Sequence, residues 1–398
     1  MTISVRTASH FVNPLVAGTD APPIPAAQAW IAGYGGGQGP LINLSQAVPG
    51  DPPAPALLAA LAKAAGEPGG ATYGPIVGDP ALRAALISEM ATIYGGGAVA
   101  PNIADVAITA GCNQAFFATM IALARAGDEV LLPVPWYFNH KMTLDMLGIG
   151  AVPLPARLEH GFVPAPEGAR ALIGPRTRAI VLVTPNNPTG AIYPPATIRA
   201  FAELCAETGI ALVLDETYRD FLGPDAGAPH DLFTAPVWRG TVVQLYSFSK
   251  AFAIPGHRLG AVVADARTIA EIAKVLDCIQ ICAPRAAQAG LAAAMPGLAD
   301  WRAASRATIG RRRDAFVAAM QAAPDWTIGS LGAYFAFVRH PFDLPAEVVT
   351  ERLAREAGLL CLPGSWFGPG QEQFVRIAVA NVDEAALAEV PARLRVLG

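Results

Sequence analysis

The sequence predicts an α/β fold, with a large domain built on a mainly parallel seven-stranded sheet flanked by helices, plus a smaller α+β domain. The 398 residues exceed one typical core, so two domains are expected. Hydrophobic residues make up 53% of the chain and charged residues only 15%, which is typical of a well-buried globular protein. From residue 106 onward, apolar runs alternate with helical stretches, and this favours parallel strands covered on both faces.

The first part of the chain precedes this alternation. Residues 1–40 are rich in Pro and Gly and predict an arm with little regular structure. A short strand follows, and then a helix at 54–65. A further helix begins at Pro80 with Asp79 as its N-cap and extends to about Tyr94.

The alternating region supplies the predicted sheet. Turn residues bound seven short apolar runs, and helical patterns lie between most of them. Because ligands gather at the carboxyl ends of parallel strands, we expect functional side chains directly after these runs. The predicted strands are 106–109, 130–134, 149–153, 179–183, 210–214, 242–246 and 259–263, and the helices are 114–124, 138–147, 196–208 and 268–281.

The alternation weakens after about residue 283, which indicates a second domain. We expect an N-terminal arm with part of the small domain at 1–45, the large domain at 46–283 and the small C-terminal domain at 284–398. The predicted elements of this last part are helices at 285–294, 299–322 and 346–357 and strands at 333–338 and 374–380.

Composition excludes several classes of function. The net charge is −4 without a basic stripe, which makes nucleic acid a poor partner. Five scattered cysteines indicate neither a disulfide framework nor a zinc site, and they fit a reducing cytoplasm. No continuous apolar run predicts a signal peptide or a membrane span, and no G-x-G-x-x-G follows a strand, so a nicotinamide dehydrogenase is disfavoured.

One stretch stands out chemically. The apolar run 242–246 leads into Ser247-Phe248-Ser249-Lys250, and Arg258 follows eight residues later. Burial and nearby cations would lower the pKa of such a lysine, and its neutral amine is a nucleophile towards aldehydes. The hydroxyls and the arginine suit a phosphate ester. The same pattern also fits a polar loop whose lysine only faces water.

Other candidates follow other runs. Gly111, with Cys112 and Asn113, opens a helix and could bind a single phosphate, although taken alone the motif favours an ordinary strand-to-helix turn. Asp215 ends a run and would be partly buried. It could pair with a cationic ring nitrogen or, equally, cap the following turn. Arg376, inside an apolar run, needs a carboxylate partner from a substrate or from the chain.

Two polar or aromatic segments complete the set. An aromatic residue of Trp136-Tyr137-Phe138 could stack on a planar ring, although such clusters are more often core. Asn186 and Asn187 lie in the rigid turn Thr184–Gly190, where they could donate to a phenolic oxygen or serve the turn alone.

Taken together, these motifs resemble those of fold-type I pyridoxal-phosphate enzymes of the class I/II aminotransferase family. The resemblance runs from about Asn43 to Arg376. It rests on Asn187-Pro188-Thr189-Gly190, on Asp215-x-x-Tyr218, and on Ser247-x-Ser249-Lys250 with Arg258. It implies an aspartate aminotransferase-like fold, a large domain that binds pyridoxal 5'-phosphate, and a homodimer.

The resemblance also implies residue roles. Lys250 would be the Schiff-base lysine and proton shuttle, and Asp215, with His140 behind it, would pair with the pyridinium nitrogen. Tyr137 would stack on the ring, and Asn187 and Tyr218 would bind its 3′ oxygen. The phosphate would be held by Gly111, Cys112, Asn113, Ser247, Ser249, Arg258 and, from the neighbouring subunit, Tyr73. Arg376 would bind the substrate carboxylate, aided by Asn187 and the backbone near Ala47.

Some positions depart from the family pattern. Cys112 and Asn113 replace small, hydroxyl or lysine residues, Ala47 replaces a common glycine, and His257 replaces a frequent aromatic. The implied function is ping-pong transfer of an amino group from an L-amino acid to a 2-oxo acid. A C–S or β-lyase on the same fold is the alternative.

The substrate is less defined than the reaction. A nearby aromatic set favours a neutral or aromatic substrate side chain over an acidic one; this set is Trp30, Tyr34, Trp136 and Phe138. A ligand-sensing regulator is disfavoured, because only about 40 residues precede the first matched strand and they are not basic.

Overall fold

A computed structural model describes residues 11–223 and 226–398. Within these ranges the helices are α1 Pro14–Ala17, α2 Pro23–Trp30, α3 Pro55–Gly66, α4 Pro80–Tyr94, α5 Cys112–Leu123, α6 Phe138–Leu147, α7 Pro166–Leu172, α8 Pro195–Thr208, α9 Phe248–Ala251, α10 Ala266–Ile279, α11 Arg285–Ala294, α12 Ala299–Met320, α13 Ala346–Ala357 and α14 Glu384–Leu394. The strands are β1 Ile42–Asn43, β2 Val106–Thr109, β3 Glu129–Val134, β4 Gly150–Pro155, β5 Thr177–Val183, β6 Ala211–Asp215, β7 Val242–Ser247, β8 Gly260–Val263, β9 Thr327–Gly332, β10 Phe335–Arg339, β11 Leu359–Leu360, β12 Leu362–Pro363 and β13 Phe374–Ala378.

The central sheet has seven strands within the described ranges, in the order β2-β8-β7-β6-β5-β3-β4. All neighbours are parallel except β8, which is antiparallel to β2 and β7. The middle strands are buried on both faces, because their runs of Val, Ile and Leu meet helices on either side. The predicted mainly parallel α/β fold is confirmed.

A smaller sheet lies in the C-terminal part of the chain. Its four strands have the antiparallel order β12-β13-β10-β9, and they pack with α12, α13 and α14 around a separate core. The short strand β1 pairs in parallel with β11, so that Ile42 lies opposite Leu359. This pairing attaches residues 42–43, which precede the large sheet, to the C-terminal part of the chain. The residues that follow β1 then lie next to Arg376 on β13.

The N-terminal prediction was wrong for residues 11–40. Helix α2 occupies Pro23–Trp30 in a segment expected to have little regular structure. Prolines at the start of a helix lose no internal hydrogen bond, and the Ala-rich residues that follow favour helix, so the proline cluster marks a helix start there. Residues 1–10 of the predicted arm lie outside the described residues.

Two local predictions also differ from the structure. Asp79 stands at the N-cap of α4, but its side chain does not cap the helix and instead pairs with Arg285 at 3.1 Å. Strand β9 was not predicted, because its residues are mostly half-buried and lack a clean alternation. In the described residues, no helix is both long enough and apolar enough to cross a lipid bilayer.

Candidate active site

The carboxyl ends of β5, β6 and β7 open into a cleft of about 330 Å³. Side chains from the small sheet and from the segment after β1 close its other side. The lining residues are Ile24, Gln46, Ala47, Val48, Cys112, Asn113, Tyr137, Phe138, Asn139, Val183, Asn187, Asp215, Thr217, Tyr218, Ser247, Ser249, Lys250, Pro255, Arg258 and Arg376. The cleft therefore collects most residues that the sequence singled out. Its whole lining comes from eight separate segments of the chain.

A second cavity is larger, about 580 Å³, but it offers less chemistry. Its charged walls include Arg302, which pairs with both Glu89 and Asp220. The described residues contain no cluster of three or more His, Cys, Asp or Glu placed to hold a metal ion.

Lys250 lies in the one-turn helix α9 that follows β7. Its Nζ donates to the carbonyl oxygen of Ala47 at 2.5 Å. Burial, followed by the positive charges of Arg258 and Arg376, lowers the pKa of this amine from 10.5 to about 8. At pH 7 about one tenth of the Lys250 amine is then in the nucleophilic, unprotonated form, far more than at its ordinary pKa.

Asp215 ends β6 and is buried at the floor of the cleft. Its Oδ2 lies 3.3 Å from Nε2 of His140 and 3.8 Å from Sγ of Cys112, and its Oδ1 accepts from the backbone N–H of Thr217 at 3.0 Å. Burial alone would raise the pKa of this carboxyl, but the hydrogen bond and charge of His140, together with Thr217, hold it below its usual value. The carboxylate thus remains ionised and faces the cleft.

Three side chains surround the space above Asp215. Tyr137 lines the cleft, whereas its neighbour Trp136 packs against Gly368 outside it. Asn139 donates to the hydroxyl of Tyr137 at 2.9 Å, and burial raises the pKa of that phenol to about 12. Asn187 and Tyr218 lie in the same lining, so a planar ring there would have an aromatic face on one side and polar groups at its edge.

The opposite end of the cleft is built to receive an anion. Helix α5 begins at Cys112, so its free backbone N–H groups point to this end. A Cβ on Gly111 would lie 2.2 Å from Nη2 of Arg258, so only glycine permits this approach, and its φ of 87° also favours glycine. Ser247 and Ser249 add hydroxyl groups beside Arg258.

Arg376 projects from β13 and is buried. It donates to the carbonyl of Ser45 and, at 3.1 Å, to Oδ1 of Asn187. Its guanidinium lies over the rings of Phe335 and Phe367, and burial lowers its pKa to about 10. No carboxylate of the described residues pairs with it, although a carboxylate is the partner that best suits its two parallel N–H groups.

Tyr73 lies away from the cleft, and so do Trp30, Tyr34 and Trp136, so of the aromatic set expected beside the substrate side chain Phe138 alone lines it. Tyr73 is 79% exposed and is not among the lining residues, and its backbone carbonyl accepts from Arg285 at 2.9 Å. Sequence reasoning also missed members of the site. Thr217 could have been predicted, because it lies within the motif Asp215-x-x-Tyr218. No sequence motif points to the other missed lining residues, which include Ile24, Gln46, Val48 and Asn139.

The donor set fits pyridoxal phosphate. A buried carboxylate that remains ionised suits a protonated ring nitrogen, and the glycine cradle with Ser247, Ser249 and Arg258 suits a dianionic phosphate. Lys250, with its lowered pKa, lines the same cleft and can form the covalent link to an aldehyde. The fold and this site define the class of pyridoxal-phosphate enzymes.

Comparison with known proteins defines the family. The model of aminotransferase class I and II matches residues 39–394. An arginine–pyruvate transaminase of Pseudomonas aeruginosa is 33% identical over 83% of this chain and 82% of that protein. An aspartate/prephenate aminotransferase of Thermus thermophilus is 30% identical over 82% of this chain and 83% of that protein.

Solved structures agree with this. Aspartate aminotransferase of Thermus thermophilus with maleate superposes with a TM-score of 0.88 and 26% identity, covering 98% of this chain and 100% of that chain. An Escherichia coli protein with a methionine aminotransferase function also gives a TM-score of 0.88 at 26% identity, over 97% and 100% of the two chains. The chain belongs to the aminotransferase class I and II family. It is a pyridoxal-phosphate-dependent enzyme that transfers amino groups between amino acids and 2-oxo acids.

Proposed function

We propose that Lys250 is the covalent anchor of the cofactor and the group that moves the substrate proton in a ping-pong transamination. The observation that carries this proposal is that a lysine of lowered pKa lines the same cleft as the ionised Asp215 and the buried Arg376. Pyridoxal phosphate, when bound, supplies an electron sink for the carbanion at the substrate Cα. With the substrate bound and Lys250 not linked to the cofactor, the free amine Nζ of Lys250 would accept the Cα proton and return it.

The neighbouring residues then have distinct tasks. Asp215, oriented by His140 and Thr217, keeps a positive charge on the ring nitrogen favourable. Tyr137 covers one ring face, and Asn187 and Tyr218 donate to the 3′ oxygen. Gly111, Cys112, Asn113, Ser247, Ser249 and Arg258 hold the phosphate, with backbone N–H groups of α5 as the natural donors near Cys112 and Asn113.

Arg376 determines the reaction's geometry. Bidentate binding of the α-carboxylate, with Asn187 beside it, would fix the substrate so that its Cα–H bond stands upright to the ring and faces Lys250. This orientation favours loss of the proton over loss of CO₂. Arg376 donates to the carbonyl of Ser45, and Lys250 donates to the carbonyl of Ala47. The substrate's carboxylate and amine would approach the site next to these two carbonyl groups.

The substrate side chain that suits the cleft is neutral or aromatic. Among the described lining residues the cations are Lys250, Arg258 and Arg376, and each has a task already. The walls left for the side chain are apolar or carry amides, and a second carboxylate would lie there without a cationic partner. These walls include Ile24, Gln46, Val48, Phe138 and Asn139.

The functional unit that best fits Tyr73 is a homodimer. This aromatic side chain is 79% exposed and lies outside the cleft of its own chain, so it is free to reach the phosphate site of a second subunit.

The cysteines bear on the compartment. All five are unpaired, and this supports a reducing compartment such as the cytoplasm.

Two half-reactions test the proposal. Adding a donor amino acid to the purified enzyme without an acceptor should bleach the cofactor absorbance and release one equivalent of 2-oxo acid. Adding a 2-oxo acid should restore the absorbance. Release of pyruvate and ammonia without an acceptor would favour the lyase alternative, which draws no support from the relatives named above.

A donor screen tests the substrate class. With 2-oxoglutarate or pyruvate as acceptor, we expect Met, Phe and Tyr to give higher kcat/KM than aspartate and glutamate. Aspartate or glutamate far ahead of these donors would overturn the proposed side-chain preference without affecting the roles of Lys250 and Asp215.

A further inference from the structure

Two cations of the site donate to one short loop, Ser45–Val48. Arg376 donates to the carbonyl of Ser45, and Nζ of Lys250 donates to that of Ala47 at 2.5 Å. The loop follows β1 and belongs to no helix or strand, so a regular ladder does not fix its carbonyl groups. The loop therefore borders the space in which the proposed carboxylate site at Arg376 and the amine of Lys250 meet the substrate.

Asn43 holds the start of this loop by accepting from the N–H and the hydroxyl of Ser45, and a second side chain outside the cleft, that of Asn381, fastens the rest. Nδ2 of Asn381 donates to the carbonyls of Asn43, at 3.3 Å, and Gln46, while its Oδ1 accepts from the N–H of Val48 at 3.2 Å. The NH₂ donor and the oxygen acceptor of this amide thus both bond to the same segment. An aspartate at this position would turn acceptors towards two carbonyl oxygens, and an alanine would contact none of the three groups.

The segment that carries Asn381 also carries Arg376. Arg376 lies on β13, and Asn381 closes the one-turn helix Val379–Asn381 directly after that strand. The N–H of Ala378, between them, donates to the carbonyl of Leu44 at 2.9 Å and joins the two segments once more. Arg376 and the loop opposite it are therefore held in register by one stretch of six residues.

We propose that Asn381 is a positioning residue for the amino-acid substrate. By fixing the loop Ser45–Val48, it holds in place the backbone that borders the proposed carboxylate site at Arg376, and hence the fit of the substrate that binds there. This inference rests on the proposed tasks of Arg376 and Lys250. Asn381 itself is not part of the cleft lining, and so it acts only through the loop.

The inference predicts a specific kinetic pattern. In Asn381→Ala, loss of three hydrogen bonds should raise KM for both the amino acid and the 2-oxo acid about tenfold, with kcat changed by less than about threefold. Asn381→Asp should change KM in the same direction. The affinity for pyridoxal phosphate should stay within about twofold of wild type, because Ser247, Ser249 and Arg258 are not attached to this loop.

Asp383→Ala is the matched control. This neighbouring side chain caps α14 by accepting from the N–H of Ala386 at 2.9 Å and has no contact with the loop. Its removal should lower the melting temperature, as loss of an N-cap does, and leave KM unchanged. Comparison of the two variants separates loop positioning from a general loss of stability.

Hydrogen exchange gives an independent readout on the enzyme with bound cofactor. A peptide spanning residues 43–50 should exchange faster in Asn381→Ala and Asn381→Asp than in wild type, because both variants remove the hydrogen bonds that Nδ2 of Asn381 donates to the loop. In Asn381→Ala the N–H of Val48 also loses one of its two acceptors and keeps only the carbonyl of Gln46 at 2.9 Å. Asp383→Ala should match wild type. Unchanged exchange of this peptide in a folded Asn381 variant would overturn the proposal, and so would a KM within about twofold of wild type in both Asn381 variants. If Asn381→Ala does not fold, Asn381→Asp decides the question by the same two measurements.

Arg376→Lys tests the proposed carboxylate site separately from the positioning role of Asn381. If this variant leaves KM unchanged, the proposed carboxylate site fails, while the exchange of residues 43–50 still reports whether Asn381 holds the loop. If Arg376→Lys raises KM and the Asn381 variants do not, the proposed function stands and the positioning role of Asn381 is overturned.

Discussion

Nε2 of His140 lies 3.3 Å from Oδ2 of Asp215, and both side chains are buried. The imidazole stacks on Phe116, with ring centroids 3.9 Å apart, so its orientation is fixed from the far side. His140, together with Thr217, holds the pKa of this carboxyl below its usual value, although burial alone would raise it. Under the proposed function, that negative charge would support the electron-withdrawing power of the bound ring.

The first prediction concerns this pair. Asp215→Asn removes the charge and should lower kcat at least about 100-fold, while His140→Asn should lower it about tenfold, because it only orients and stabilises the carboxylate. Both should weaken pyridoxal-phosphate binding, measured by equilibrium dialysis.

A second buried pair provides the control. His230 lies 3.3 Å from Glu216, and neither side chain lines the cleft. His230→Asn should therefore lower the melting temperature and leave cofactor affinity within about twofold of wild type. Equal effects of His140→Asn and His230→Asn on cofactor affinity would contradict the role assigned to His140.

The second prediction concerns Arg376. Arg376→Lys keeps a positive charge but loses the two parallel N–H groups, so KM for the amino acid should rise about 10- to 100-fold. Arg352→Lys alters an exposed pair with Glu356 in α13 and should leave KM unchanged. An unaltered KM in Arg376→Lys would mean that the carboxylate binds elsewhere.

The third prediction concerns Gly111. A Cβ there would lie 2.2 Å from the Arg258 guanidinium, so Gly111→Ala should displace that group and raise the Kd for pyridoxal phosphate about tenfold or more. Gly209→Ala is the matched control, because Gly209 has a similar positive φ of 69° but open space around it. Both variants should lose stability, and only the first should lose cofactor affinity.

The fourth prediction uses the pKa of Lys250. Since burial lowers this pKa from 10.5 to about 8, the unfolded chain binds the proton more strongly than the folded one. Below the folded pKa the cost of the buried charge is present in full, and as pH rises from about 8 to about 10.5 the unfolded state holds more protons, so the cost disappears.

Lys250→Met measures this cost directly. In the cofactor-free protein it should raise the free energy of unfolding by on the order of 3 kcal/mol near pH 7, and the gain should vanish above about pH 10.5. Denaturant titration of both proteins across this range gives the difference. A gain that does not change with pH would reflect packing alone and contradict the lowered pKa.

Much of this fold could be predicted from the sequence. Strands β5, β6 and β7 are continuous apolar runs buried on both faces, which is the pattern a central parallel strand requires. Asn187, Asp215 and Lys250 follow these strands directly, and parallel pairing brings their carboxyl ends to one edge of the sheet. The chemistry of the site could therefore be predicted together with the fold.

The parts that escaped prediction depend on contacts between distant segments. Asn381 bonds to Val48 across 333 residues, and Cys112 reaches Asp215 across 103, and no local pattern reports such pairings. Helix α2 was missed for the opposite reason, because its prolines carry a strong local signal that serves helix starts as well as loops. The task of Tyr73 involves a second chain, and so its role remains a prediction.

The central claim is that Lys250 carries the cofactor, and borohydride reduction tests it most directly. Reducing the purified enzyme with its bound cofactor, digesting it and sequencing the labelled peptide by mass spectrometry should place the pyridoxyl group on Lys250 alone. Lys250→Ala should bind the cofactor without a covalent link and lose turnover by roughly 10⁴-fold or more, whereas Lys274→Ala, which alters an exposed pair with Glu271, should keep both label and activity. A label on another lysine, or retained turnover in Lys250→Ala, would contradict the account.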